Sequence, residues 1–174
     1  MRLLATLQQF DSLTFLWCMR RRHKMALTKL SLWISKTADG YLYLALIPCC
    51  WLLDQSYLLG IMFLGFVAER SIYWLLKNTC KRNRPPEAIP GFKSTVQPSD
   101  QFSFPSGHTS AAFLVAGFLS FALPPLAWIL YPWACGVGAA RVMLGVHFPC
   151  DTLVGAAMGS SIAFLTIQLF MDLL

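Results

Sequence analysis

The sequence predicts an all-α, polytopic membrane protein: a helix bundle of about five transmembrane helices, preceded by N-terminal interfacial helices. Three observations carry that expectation. The 174 residues are 56% hydrophobic and only 13% charged, with a mean hydropathy of +0.56, which excludes an ordinary soluble globule. The stretch from Gln101 to Ala140 contains no Asp, Glu, Lys or Arg. It is about twice the roughly 20 residues one span needs, so it must be two spans, with Pro124-Pro125 as the turn between them. Beyond the first forty residues, nearly all the cations and both remaining histidines gather in two short regions rather than spreading over a surface.

Residues 1–36 mix apolar and basic positions and form an amphipathic interfacial region ahead of a membrane core at 37–174. Leu27, Leu30, Leu32, Trp33 and Ile34 alternate with lysines and serines, as in a helix lying at the membrane surface. The RRRHK run at 20–24 suits an anchor facing lipid phosphates. Asp39-Gly40 breaks the chain, and YLYLALIPCCWLL (41–53) begins a short first span, kinked by Pro48. The second span, 56–77, ends at Lys77 and holds Glu69 and Arg70, a costly placement that points to a structural ion pair. A polar segment, 78–105, rich in proline and long enough to be functional, follows at the membrane face. The third span starts at about Ser106, the fourth covers 126–143, and the fifth begins at CDTLVGAAMGSS. Its Gly155, Ala156, Gly159 and Ser160 permit close helix contact.

Parity places the segments 78–105 and 144–149 on one side of the membrane. Lys77, Arg84, His108, Arg141, His147 and Asp151 therefore converge on one face. Arginine grips phosphate oxygens through a planar fork and lysine adds a point charge. Ser106 and Gly107 precede an apolar helix, so their backbone N–H groups can face an anion at its N-terminus. His147 and Asp151 are four residues apart, so a helix there lets the carboxylate hold one imidazole nitrogen and leaves the other to attack. His108 is then available as a proton donor. Taken singly, basic residues beside spans are topology signals; taken together, they describe an anion site with nucleophilic and acid–base chemistry. Nucleic acid is a poor partner for cations tied to spans. No cysteine or histidine spacing describes a metal site, and Cys80 and Cys150 are expected to be free thiols.

Lys77 to Arg84-Pro85, Pro105-Ser106-Gly107-His108, and Arg141 to His147 to Asp151 together resemble the three motifs of the type 2 phosphatidic acid phosphatase family, which belongs with the bacterial acid phosphatases and vanadium haloperoxidases. The resemblance covers about 40 to 170. It departs from the pattern at Ala140, where the family usually has serine, which puts one phosphate hydrogen bond in doubt. It implies cofactor-free, metal-independent phosphoryl transfer. In that scheme His147 is the nucleophile, Asp151 its orienter and His108 the acid and then the base. Lys77, Arg84, Ser106, Gly107 and Arg141 bind phosphate. The implied partner is a lipid phosphate or diphosphate among membrane lipids, with undecaprenyl diphosphate and phosphatidylglycerophosphate ahead of lipid A. Transfer to a second lipid, or non-catalytic binding and translocation, are the alternatives. The implied location is the bacterial cytoplasmic membrane with the site facing the periplasm, although the distribution of Lys and Arg favours the cytoplasm.

Overall fold

The computed structural model describes residues 2–20, 25–52, 55–98 and 100–173. Four of the five residues of the RRRHK run lie outside this set. The described chain forms α1 (Arg2–Arg20), α2 (Met25–Lys36), α3 (Gly40–Tyr43), α4 (Leu46–Leu52), α5 (Ser56–Cys80), α6 (Pro85–Ala88), α7 (Gly107–Ala122), α8 (Ala127–Met143) and α9 (Pro149–Asp172), with a 3₁₀ turn at Pro124–Leu126. Among the described residues, three stretches are long and apolar enough to cross a membrane: Tyr57–Ala88, Pro124–Met143 and Pro149–Asp172. Two shorter apolar ones, Gly40–Leu52 and Gly107–Ala122, complete the expected five.

The short α7 is the axis of the bundle, and α9, α8 and α5 pack around it. Its residues Ala112, Leu114, Ala116 and Phe118 are fully buried. Two glycines of α9 set how closely the axis is approached. A Cβ on Gly159 would lie 2.1 Å from the Ser110 carbonyl oxygen, and one on Gly155 would lie 2.6 Å from that of Ser106. Small residues thus bring α9 into backbone contact with α7, as expected. The neighbouring Ala156 and Ser160 are only half-buried.

The first span is broken more sharply than a kink. Pro48 has no N–H to offer the Leu44 carbonyl, which instead takes the Ile47 N–H at 3.2 Å in a tighter turn. The interruption therefore falls between Tyr43 and Leu46, one turn before the proline.

The N-terminal helices dock on the bundle by one face. Helix α2 lies along α8, where Ile34 joins a cluster with Ala38, Ala134 and Val137. Phe15 of α1 is fully buried, edge-on to Phe92 and Phe148 at 5.2 and 5.4 Å between ring centroids. Their outer faces expose Phe10, Trp17, Leu30 and Trp33. Both helices thus cover the end of the bundle where the polar residues converge.

Candidate active site

Five polar side chains meet where α5, α7, α8 and α9 come together. Helix α5 carries Lys77 in its last turn, and Arg84 follows just before the one-turn helix α6. Helix α7 begins at Gly107-His108, α8 delivers Arg141 in its last turn, and His147 immediately precedes α9. A cavity of about 750 Å³ reaches Arg84, Gly107, His108, Arg141 and His147 at one end. Its other walls are apolar, with Tyr43, Leu46 and Ile47 opposite Leu59, Met62, Phe63 and Phe66.

His147 is 2% exposed. Its Nδ1 lies 2.7 Å from the Ser103 carbonyl oxygen, which can only accept, so Nδ1 carries the proton. Nε2 is then the basic nitrogen, 3.5 Å from Nη1 of Arg84. Asp151 stands near but does not take this hydrogen bond, because its Oδ2 is 3.8 Å from Nδ1. That oxygen accepts the Phe148 backbone N–H at 2.8 Å, while Oδ1 pairs with Arg82 at 2.6 Å. Burial first, and then the charges of Arg84 and Arg141, outweigh the carboxylate and push the His147 pKa down to about 4. The imidazole is thus neutral at any pH near 7.

The cations are tightly engaged. Lys77 Nζ reaches Asp100 Oδ2 at 2.6 Å and also the Tyr73 hydroxyl. Arg84 donates to both the side chain and the backbone of Asp100, and at 2.6 Å to the Val146 carbonyl oxygen. The Asp100 carboxylate thus already occupies donors of both cations. Burial alone would raise its pKa, but hydrogen bonds from Lys77 and Tyr73 and the charges of Lys77 and Arg84 hold it well below the usual carboxylate range. Arg141 donates from Nη1 to the Ser35 hydroxyl of α2 at 2.9 Å, and its buried Nε has no partner among the described residues. Ala140 is buried at 3% exposure, so this neighbouring hydroxyl comes from α2 rather than from position 140.

His108 places Nε2 3.2 Å from Asp39 Oδ1, at the head of the first span. The carboxylate engages Nε2 and leaves Nδ1 as the other ring nitrogen on the cavity wall. Gly107 sits on the cavity wall, where a Cβ would come within 2.9 Å of Tyr73. The N–H groups of Gly107 and His108 occupy the first turn of α7, without intrahelical acceptors. Ser106 is placed differently from the sequence expectation. It is fully buried, its N–H donates to the Asp151 carbonyl oxygen at 3.0 Å, and its hydroxyl pairs with Thr109. The backbone expected to face an anion is thus supplied from Gly107 onward.

Behind the site lies a second set of charges. Arg82 bridges Asp151 and Asp11 of α1, each at 2.6 Å, with its guanidinium 4.4 Å above the Phe148 ring. Asp11 also accepts the Cys150 backbone N–H at 3.0 Å. Sequence reasoning did not find Asp11, Asp39, Asp100 or Ser35 and did not separate Arg82 from its neighbours. Asp11, Asp39 and Ser35 carry no spacing relation to the motifs; only the position of Arg82 within the basic run could have marked it. Cys80 and Cys150 form no disulfide.

An apolar cavity that ends on a neutral, buried histidine and a ring of guanidinium and ammonium groups defines a membrane protein built to receive an amphiphile with an anionic head. The PAP2 superfamily model matches residues 55–173, and the chain belongs to that family of membrane lipid phosphatases. A decaprenylphosphoryl-5-phosphoribose phosphatase of Mycobacterium tuberculosis is 37% identical over 101 residues, covering 56% of this chain and 52% of that protein. The match thus spans about half that relative's length. An undecaprenyl-diphosphatase of Sulfolobus acidocaldarius is 29% identical over 146 residues, 82% of this chain and 70% of that one. Among solved structures, the phosphatidylglycerolphosphate phosphatase of Bacillus subtilis superposes with a TM-score of 0.81 at 27% identity, over 96% of this chain and 87% of that one. Lipid phosphates are the substrates the family implies, and the protein is a multi-pass membrane protein.

Proposed function

We propose that this protein is a metal-independent phosphatase for a lipid phosphate or diphosphate, with undecaprenyl diphosphate and phosphatidylglycerophosphate as the leading substrates. The observation that carries this reading is the His147 hydrogen bond. With Nδ1 donating to Ser103, the Nε2 lone pair is left beside Arg84, and both residues line the cavity. The lipid tail lies along the apolar walls, and the phosphate displaces the Asp100 carboxylate from Lys77 and Arg84. His147 Nε2 forms a bond to phosphorus while the bond to the leaving oxygen breaks, and His108 supplies that oxygen's proton. His108 then takes a proton from water, which attacks phosphorus, breaks the P–N bond and releases inorganic phosphate. Lys77, Arg84, Arg141 and the first N–H groups of α7 stabilise the developing charge. Asp151 acts on His147 at one remove, by fixing the Phe148 N–H and Arg82.

The site opens to the periplasmic face of a bacterial cytoplasmic membrane in this reading. The N-terminal segment lies on the same side as the site, which fits the docking of α1 and α2 there.

Phosphate release from a panel of lipid phosphates in detergent tests the proposal, with EDTA, with vanadate, and with and without an acceptor lipid. Release that survives EDTA, is blocked by vanadate and needs no acceptor is expected. Loss on chelation restored by magnesium, or dependence on the acceptor, contradicts it. For the side of the membrane, a C-terminal alkaline phosphatase fusion should be inactive and a fluorescent-protein fusion bright, since five spans put the C-terminus opposite the site.

A further inference from the structure

One cation on the cavity wall has no task in the chemistry above. Arg70 lies seven residues before Lys77 on α5, so both project from roughly one face. Its neighbour Glu69 is fully buried, and the two form the expected ion pair: Nε donates to Oε2 at 2.5 Å and Nη2 to Oε1 at 2.6 Å. The Arg70 side chain nevertheless remains 50% exposed and lines the cavity. Glu69 engages one edge of the planar fork, two of its five donors. The guanidinium plane is fixed 4.4 Å above the Tyr73 ring. A Cβ on Gly107 would stand 3.4 Å from Nη2, so the group rests against the start of α7, beside His108.

The order of residues along α5 shows what Arg70 meets. Toward the chemistry come Tyr73 and Lys77; in the other direction come Phe66, Phe63, Met62 and Leu59, all on the cavity wall except Lys77 behind Asp100. A lipid with its scissile phosphate at Lys77 and Arg84 and its tail along Phe66 to Leu59 must pass Arg70 where head joins tail. Glu69 already offsets the cost of that charge inside a span, and the donors it leaves unused belong to a side chain that is half exposed on the cavity wall. The geometry points to Arg70, braced by Glu69 and Tyr73, as a second anion subsite that holds the lipid-side phosphate of a two-phosphate substrate. That chemistry is shared by a lipid diphosphate and by a phospholipid that carries a terminal phosphomonoester beyond its phosphodiester. This inference rests on the phosphatase reading and narrows its substrate class.

The test compares kcat/KM for matched pairs: farnesyl diphosphate against farnesyl phosphate, and phosphatidylglycerophosphate against phosphatidic acid. Arg70→Gln should lose at least ten-fold more on the two-phosphate member of a pair than on its partner, chiefly through KM, and Arg70→Lys should recover part of that difference. A split in the first pair alone assigns the subsite to a directly bonded phosphate, and a split in the second to a spaced one. Equal losses on both members of both pairs, or no loss, overturn the inference. Because Arg70→Gln strands a buried Glu69, the paired change Glu69→Gln with Arg70→Gln gives the same ratio in a chain without the stranded charge. Wild-type protein supplies an independent readout: a farnesyl bisphosphonate should inhibit at least ten-fold more strongly than a farnesyl monophosphonate, and equal inhibition counts against the subsite. Wild-type protein that cleaves none of the four lipids would instead defeat the phosphatase reading, and the subsite would still be judged by whether the farnesyl bisphosphonate raises the melting temperature at lower concentration than the monophosphonate does.

Discussion

The front and the rear of the site are built from the same materials and behave oppositely. At the front, Lys77 and Arg84 share Asp100, a loop carboxylate whose side chain is 35% exposed. At the rear, Arg82 is shared by Asp11 and Asp151, whose side chains are 1% and 0% exposed. The two front cations are buried, at 8% and 4% exposure, but a carboxylate partly open to solvent can leave them for water when another anion takes its place. A sealed pair whose partner is removed leaves a charge with nowhere to go. The rear set is therefore a fixture that holds the turn before α9, and with it His147. In the proposed mechanism the front set is a placeholder, its carboxylate yielding to phosphate.

The largest expected effect is at the rear. Arg82→Ala leaves two buried carboxylates without their cation and should cost about 3–5 kcal/mol of stability, read as a fall in the detergent-solution melting temperature. A stability loss no greater than that of Asp100→Asn would break the contrast. Asp151→Asn should reduce kcat by roughly 10- to 100-fold, less than loss of the nucleophile, because it disturbs His147 only through its supports. Asp100→Asn should cost less stability than Arg82→Ala, because the side chain it replaces is partly open to solvent. It should bind vanadate several-fold more tightly, since the competing charge is gone; weaker vanadate binding would make Asp100 a ligand rather than a placeholder.

The smallest effect is one of pH. The folded chain keeps His147 unprotonated down to about 4, below the ordinary 6.5. As pH falls from 6.5 toward 4 the unfolded chain takes up a proton that the folded chain refuses, so this group lowers stability in that window and is indifferent above it. For catalysis, the acid limb set by His147 in kcat/KM should lie near 4. Arg84→Gln should move that limb upward by removing a positive charge, and a downward shift would contradict the assigned cause.

Much of this was legible in the sequence because polar residues are rare in an apolar chain. Lys77, Arg84, His108, Arg141, His147 and Asp151 stand out by type and spacing, and parity brings them to one face. The glycines at 155 and 159 announced close contact, although not that their neighbour would be the backbone of α7. What escaped depends on contacts distant in the sequence. Asp11 and Arg82 are 71 residues apart and Asp39 and His108 are 69 apart, and no local pattern links them. Ser106 escaped for a different reason: a helix start offers several N–H groups, and which one a neighbouring carbonyl takes is decided by packing. The break in the first span fell one turn before Pro48 because a proline's missing N–H is felt at the carbonyl four residues earlier.

The central claim is that His147 carries the phosphoryl group. Rapid acid-free quenching of wild-type protein with a ³²P-labelled lipid phosphate, followed by peptide mapping, tests it directly. The account predicts an acid-labile, alkali-stable label on the peptide containing His147 that is absent from His147→Ala, with turnover in that variant reduced by at least about 10³-fold, in the range seen when a catalytic nucleophile is removed. A label on serine, or substantial turnover in His147→Ala, would contradict it.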